Sequence, residues 1–127
     1  MTSADSQRSQ PITDDVNINT AGNFLGSSHA LKVGWLNVQS LSANKAVSVC
    51  EMIDDRKLDV IVLTETWHRS SDDVTLRLAA PAGFSAVDAV RVSDPSHGGI
   101  VFLHRSCYSC TRINLPSLSS FEGLCTR

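Results

Sequence analysis

The chain has 127 residues, a formal net charge of −2 and 19% charged residues. That length fits one domain rather than two, and a 42% hydrophobic content excludes a wholly disordered chain. No global basic field marks a nucleic-acid binder, although a local patch can exist on a neutral chain.

Residues 1–30 are rich in Ser, Thr, Asn, Asp and Gln without apolar periodicity, which predicts a flexible polar tail. The stretch after Met1 lacks the apolar core of a signal peptide, and no apolar run approaches the roughly 18 residues of a membrane span. A soluble intracellular protein without membrane contact is the expectation. Cys50, Cys107, Cys110 and Cys125 then read as free thiols.

Order is expected from Leu31. Residues 31–36 alternate and then turn apolar, predicting a strand that ends at Asn37. Ser40-Leu41-Ser42 is a loop with candidate helix caps. Ala46, Val49, Cys50 and Ile53 fall at i, i+3, i+4 and i+7, one face of an amphipathic helix over 43–56, with Lys45, Ser48, Glu51 and Asp55 on the far side. The continuous β-branched run 58–63 predicts a strand buried on both faces. Strand, helix and strand make a βαβ unit, whose strands run parallel with a right-handed crossover. Asn37 and Glu65 therefore belong at the same sheet edge, where α/β proteins bind ligands.

Past Glu65, 68–73 is a polar loop and 74–80 a short helix. Phe84 to Val92 and Ile100 to His104 form an antiparallel hairpin around the turn signal 94–99. Tyr108 to Asn114 is a strand, 115–120 a loop, and Phe121 begins a further strand. Trp35, inside the first strand, is expected in the core; Trp67 divides evenly between packing and stacking on a base.

An acid and a carboxamide at one edge of a parallel pair can bind a hard cation such as Mg²⁺, which takes oxygen ligands. By residue type alone, however, Asn after a strand is a common turn residue and Glu after a strand is often only solvated. Cys107 and Cys110 have the spacing of half a zinc site, but no second pair follows, and in a strand they face opposite sides. Arg69 and Arg77 could touch phosphate, though a solvated arginine is the default.

Leu36-Asn37-Val38-Gln39-Ser40-Leu41 with Lys45, then residues 58–67 ending Leu63-Thr64-Glu65-Thr66-Trp67, resemble the first two motifs of the endonuclease/exonuclease/phosphatase superfamily. The likeness is nearest to the endonuclease domains of non-LTR retrotransposons. Phe84 after Gly83, Arg91, Gly98-Gly99-Ile100-Val101 and Ser120-Phe121-Glu122 follow in the family's order. The resemblance spans about 31–127 and implies the N-terminal half of a four-layer α/β/β/α sandwich.

It further implies phosphodiester hydrolysis with Mg²⁺ or Mn²⁺ and DNA as partner, with nuclear access expected for a retrotransposon-derived protein. Glu65 becomes the metal ligand, Asn37 a catalytic residue near the scissile phosphate, and Trp67, Arg69 and Arg91 candidate DNA contacts. The family's Gly-Asp-Phe-Asn-like segment and terminal Ser-Asp-His are not found, and His29, His68, His97 and His104 lie outside the general base's place. A chain without those groups is expected to bind the ion weakly and to be inactive alone. The other reading is a non-catalytic remnant or interaction module. In either case a sheet face lacking its partner sheet predicts marginal folding and association with the missing half or with another copy.

Overall fold

Two parallel strands joined through a helix organise the computed structural model, which describes residues 17–21, 30–94, 96–116 and 122–127. β2 (Leu31–Asn37) pairs in parallel with β3 (Val60–Thr64), and α1 (Ala43–Arg56) crosses between them. The order of the five-stranded sheet is β1-β2-β3-β5-β4, with β1 (Asn17–Ala21) antiparallel to β2 at one edge and β4 (Phe84–Ala89) antiparallel to β5 (Ile100–Arg105) at the other. β5 also runs antiparallel to β3, so the sheet is mixed. A short helix, α2 (Val74–Ala79), and a two-stranded sheet of β6 (Arg112–Ile113) and β7 (Cys125–Thr126) complete the described elements.

The helix forms where its local chemistry directs. Ser42 is extended at φ −69° and its hydroxyl accepts from the Lys45 N–H at 3.3 Å, satisfying one of the orphan donors of the first turn. At the other end Lys57 takes a left-handed φ of 54°. Its N–H bonds to the Asp54 carbonyl and that of Leu58 to Ile53, the Schellman pattern. Leu58 then folds back into the core beside Ile53, both essentially fully buried. It lies over Gly34, where a Cβ would meet Leu58 Cδ1 at 3.0 Å; glycine in β2 leaves the room in which the cap packs.

This use of Leu58 explains why the second strand begins two residues later than its apolar run suggested. Asp59 is also diverted. Its carboxylate accepts from the Lys32 N–H and from Arg105 Nε, each at 2.8 Å, and so ties together the starts of β2, β3 and the end of β5. One face of the sheet presents Leu36, Ile61, Leu63, Val101 and Leu103 to Ala46, Val49 and Ile53 of α1 and to Leu76 and Ala79 of α2. At roughly 1.5–3 kcal/mol per buried aliphatic side chain, this layer is the main stabiliser of the fold.

Several expectations are corrected. Residues 17–21 of the supposed tail are β1, because the edge of β2 offers unpaired backbone groups that a polar strand can satisfy as well as an apolar one. The rest of residues 1–29 lies outside the described residues. Trp35 is not core: strand alternation turns it away from Leu36 and the helices, and it is 50% exposed. It shares a cross-sheet row with Val62, Phe102 and Val87 on the face opposite the helices. β4 stops at Ala89, its last paired residue with β5, rather than at Val92. Cys107–Cys110 are not in a strand; the Tyr108 N–H turns back to the Arg105 carbonyl, and pairing resumes only at Arg112. All four cysteines are free thiols, as expected. Among the described residues no helix is long and apolar enough to cross a membrane.

Candidate functional site

The C-terminal ends of β2 and β3 meet at one edge. Asn37 is registered opposite Thr64, one residue before Glu65. Beyond the last ladder pair the two segments stay stitched: Val38 N–H donates to the Thr64 carbonyl at 3.0 Å, Ser40 N–H to the Glu65 carbonyl at 2.8 Å and Leu41 N–H to the Thr66 carbonyl at 2.9 Å. The backbone is bent hard to do this. Gln39 (φ 42°), Ser40 (φ 75°), Glu65 (φ 53°) and Trp67 (φ 54°) all occupy the left-handed region that non-glycine residues avoid. Such conformations persist only where their surroundings over-determine them, and they concentrate at functional edges.

Asn37 is exposed, and its Oδ1 accepts from the Gln39 N–H at 3.2 Å. The Lys45 ammonium donates to the Val38 and Gln39 carbonyls, each at 2.8 Å, pinning the first turn of α1 to this loop. Trp35, Asn37, Val38, Gln39 and Lys45 line a cavity of about 430 Å³. Glu65 is half-buried and does not line that cavity, although the register sets its backbone beside it.

The segment after Glu65 is held against the turn leading into β5. Thr66 N–H donates to the Gly99 carbonyl and Trp67 N–H to that of Gly98. Gly98 and Gly99 have φ of 72° and 89°, and a Cβ on Gly98 would collide with Arg91 and Glu122. Trp67 is half-buried, packs edge-on to His97 with ring centroids 5.2 Å apart, and has its indole nitrogen buried without a hydrogen-bond partner among the described residues. His97 itself is an exposed loop residue bound to Asp94 at 2.9 Å. Arg69 is exposed. Arg91, expected as a candidate phosphate contact, donates to Glu122 at 3.0 Å, and the same carboxylate accepts from the Gly99 N–H at 3.2 Å. The arginine is thus engaged in bracing the glycine turn.

One cluster escaped the sequence reading. His68, assigned to a polar loop, is fully buried. Its Nε2 lies 2.9 Å from the Asp88 carboxylate and its Nδ1 2.5 Å from the Thr66 hydroxyl, while the Ser71 hydroxyl donates to the same Asp88 oxygen at 3.0 Å. The partners are 20 residues apart in loop and strand, so no local period links them. The only available signal was the Gly-Gly pair, whose demand for close packing implies a partner across the gap. Among the described residues, no three His, Cys, Asp or Glu side chains converge as a metal site. Glu65 and Asn37 offer hard oxygen donors of the right kind for Mg²⁺, but one carboxylate and one amide are too few to hold it firmly.

No family model and no curated protein sequence matches the chain. Among solved structures, an AP endonuclease from Leishmania major, a member of the endonuclease/exonuclease/phosphatase superfamily, aligns at a TM-score of 0.56 and 24% identity over 68% of this chain. The matched part is 30% of that enzyme's chain. Over two-thirds of its length, this chain has the fold of a segment of an AP endonuclease.

Proposed function

We propose that this chain is the N-terminal half of a metal-dependent phosphodiester hydrolase domain of the DNA-endonuclease type, related to those of non-LTR retrotransposons, with Asn37 and Glu65 as its share of the catalytic site. The observation that carries the reading is the parallel register setting Asn37 beside Thr64–Glu65, sealed by the Ser40-to-Glu65 backbone bond. The likeness to an AP endonuclease supports the fold this requires, in its full form a four-layer sandwich.

Each residue then has a physical task. Glu65 supplies the hard anionic oxygen that Mg²⁺ or Mn²⁺ prefers, and the Asn37 carboxamide, exposed at the same sheet edge, can donate to a phosphate oxygen. The metal, when bound, polarises the phosphoryl oxygen and offsets developing charge. Trp67 and Arg69 lie next to Glu65 in the chain and can reach a DNA strand; Arg91 acts through Glu122 on the glycine turn. Among the described residues, one carboxylate and one amide face this work without a convergent third ligand, so this chain alone binds the ion weakly and cleaves little.

Two measurements test this. Mn²⁺ titration of ¹⁵N-labelled protein should broaden the amides around Asn37 and Glu65 first, and Glu65→Ala should abolish that pattern. Supercoiled plasmid with Mg²⁺ should be nicked at most slowly, with no residue of activity in Glu65→Ala. Broadening centred elsewhere, or the same in both proteins, would sink the assignment. A second reading, a non-catalytic interaction module that retains half of the fold, is favoured by the exposed Trp35 on the sheet face away from the helices.

A further inference from the structure

We propose that His68 is a positioning residue for Glu65, holding the strained Glu65–Trp67 segment to the sheet through Thr66 on one side and Asp88 on the other; the inference rests on the role given to Glu65 above. A His–Asp pair near a candidate phosphodiesterase edge invites a general-base interpretation. The geometry rejects it. The His68 side chain has no solvent exposure, and both ring nitrogens are engaged, so neither water nor substrate can reach them. An ionised carboxylate only accepts, so Nε2–H donates to Asp88; Nδ1 is then free to accept from the Thr66 hydroxyl.

The segment needs such an anchor. Glu65 and Trp67 are both left-handed and flank a single β-branched residue, Thr66. The backbone bonds that hold them run to other loops: Ser40 and Leu41 on one side, Gly98 and Gly99 on the other. His68–Asp88 is different, because Asp88 belongs to β4 and is registered opposite Val101 within the sheet. The imidazole therefore transfers the rigidity of a paired strand to the loop that aims Glu65. Gly99 is shaped around the same contact, since a Cβ there would sit 2.6 Å from Thr66 Oγ1 and 3.0 Å from His68 Nδ1. Residues that orient a ligand from behind typically change metal affinity 10–100-fold when altered.

The test uses the whole chain and two conservative variants. Thr66→Val keeps the branched shape and deletes the hydroxyl; Asp88→Asn keeps the shape and removes the charge. Amide hydrogen exchange is measured at Glu65 and Trp67 and, as a control, at Ile53 and Leu63. Expected is at least tenfold faster exchange at 65 and 67 with the control amides unchanged, and a tenfold weaker Mn²⁺ effect at the Glu65 amide. Asp88→Asn, whose amide oxygen still accepts, should show the smaller change and is read by itself should Thr66→Val fail to fold. Unchanged exchange at 65 and 67, or equal acceleration at Ile53 and Leu63, overturns the proposal. Wild-type protein showing no Mn²⁺ effect at Glu65 would overturn the functional reading instead, while exchange still decides whether His68 holds the loop.

Discussion

Replacing Gly99 by alanine introduces a methyl group against the buried Thr66–His68 contact. The residue sits at φ 89°, where an L side chain costs about 1–2 kcal/mol. The new Cβ would lie 2.6 Å from the Thr66 hydroxyl oxygen, which must move. Moving it breaks the bond to the fully buried His68, and an unsatisfied buried polar group costs about 1–3 kcal/mol. The sum, about 2–5 kcal/mol, is a large part of the 5–15 kcal/mol typical of a small domain. Gly83 provides the control. It has a similar φ of 81° but open space where its Cβ would point, so Gly83→Ala bears the backbone cost alone. Urea unfolding followed by far-UV circular dichroism should therefore separate the two variants by about 1–3 kcal/mol, a midpoint difference on the order of 1 M. If both variants lose the same stability, the Thr66–His68 contact is not a stabilising one and the reasoning fails.

Two further outcomes follow from particular residues. Asp73 caps α2, and the Thr75 backbone N–H that it accepts holds its carboxyl below the ordinary carboxylate range. A folded-state value lowered in this way contributes stability above the unfolded pKa of about 3.9 and loses it as pH falls through the folded value. Asp73→Ala should thus cost about 1 kcal/mol at pH 7, and the gap to wild type should close on acidification; a gap constant between pH 7 and pH 2.5 would contradict the cap. Trp35→Lys should leave the unfolding free energy within about 0.5 kcal/mol of wild type while lowering concentration-dependent association in sedimentation velocity. Identical sedimentation of the two proteins would mean that the exposed sheet face joins nothing.

Local pattern determined a good deal of this protein. The α1 boundaries, its cap at Ser42, the parallel βαβ unit, α2 and the hairpin all follow from periodicity and turn chemistry, because each is a decision made within a few residues. That Asn37 and Glu65 belong to one edge was also legible, since a crossover helix leaves parallel strands little choice. What only the tertiary structure decided are matters of distance along the chain. The pairing of β1 with β2, the insertion of β5 between β3 and β4, the exposure of Trp35 and the diversion of Asp59 all depend on which surfaces meet. So does the burial of His68 against an aspartate 20 residues away, and the capture of Arg91 by Glu122. A polar side chain carries no sign of its future partner in its neighbours; it is satisfied or left orphaned only when the sheet has closed around it.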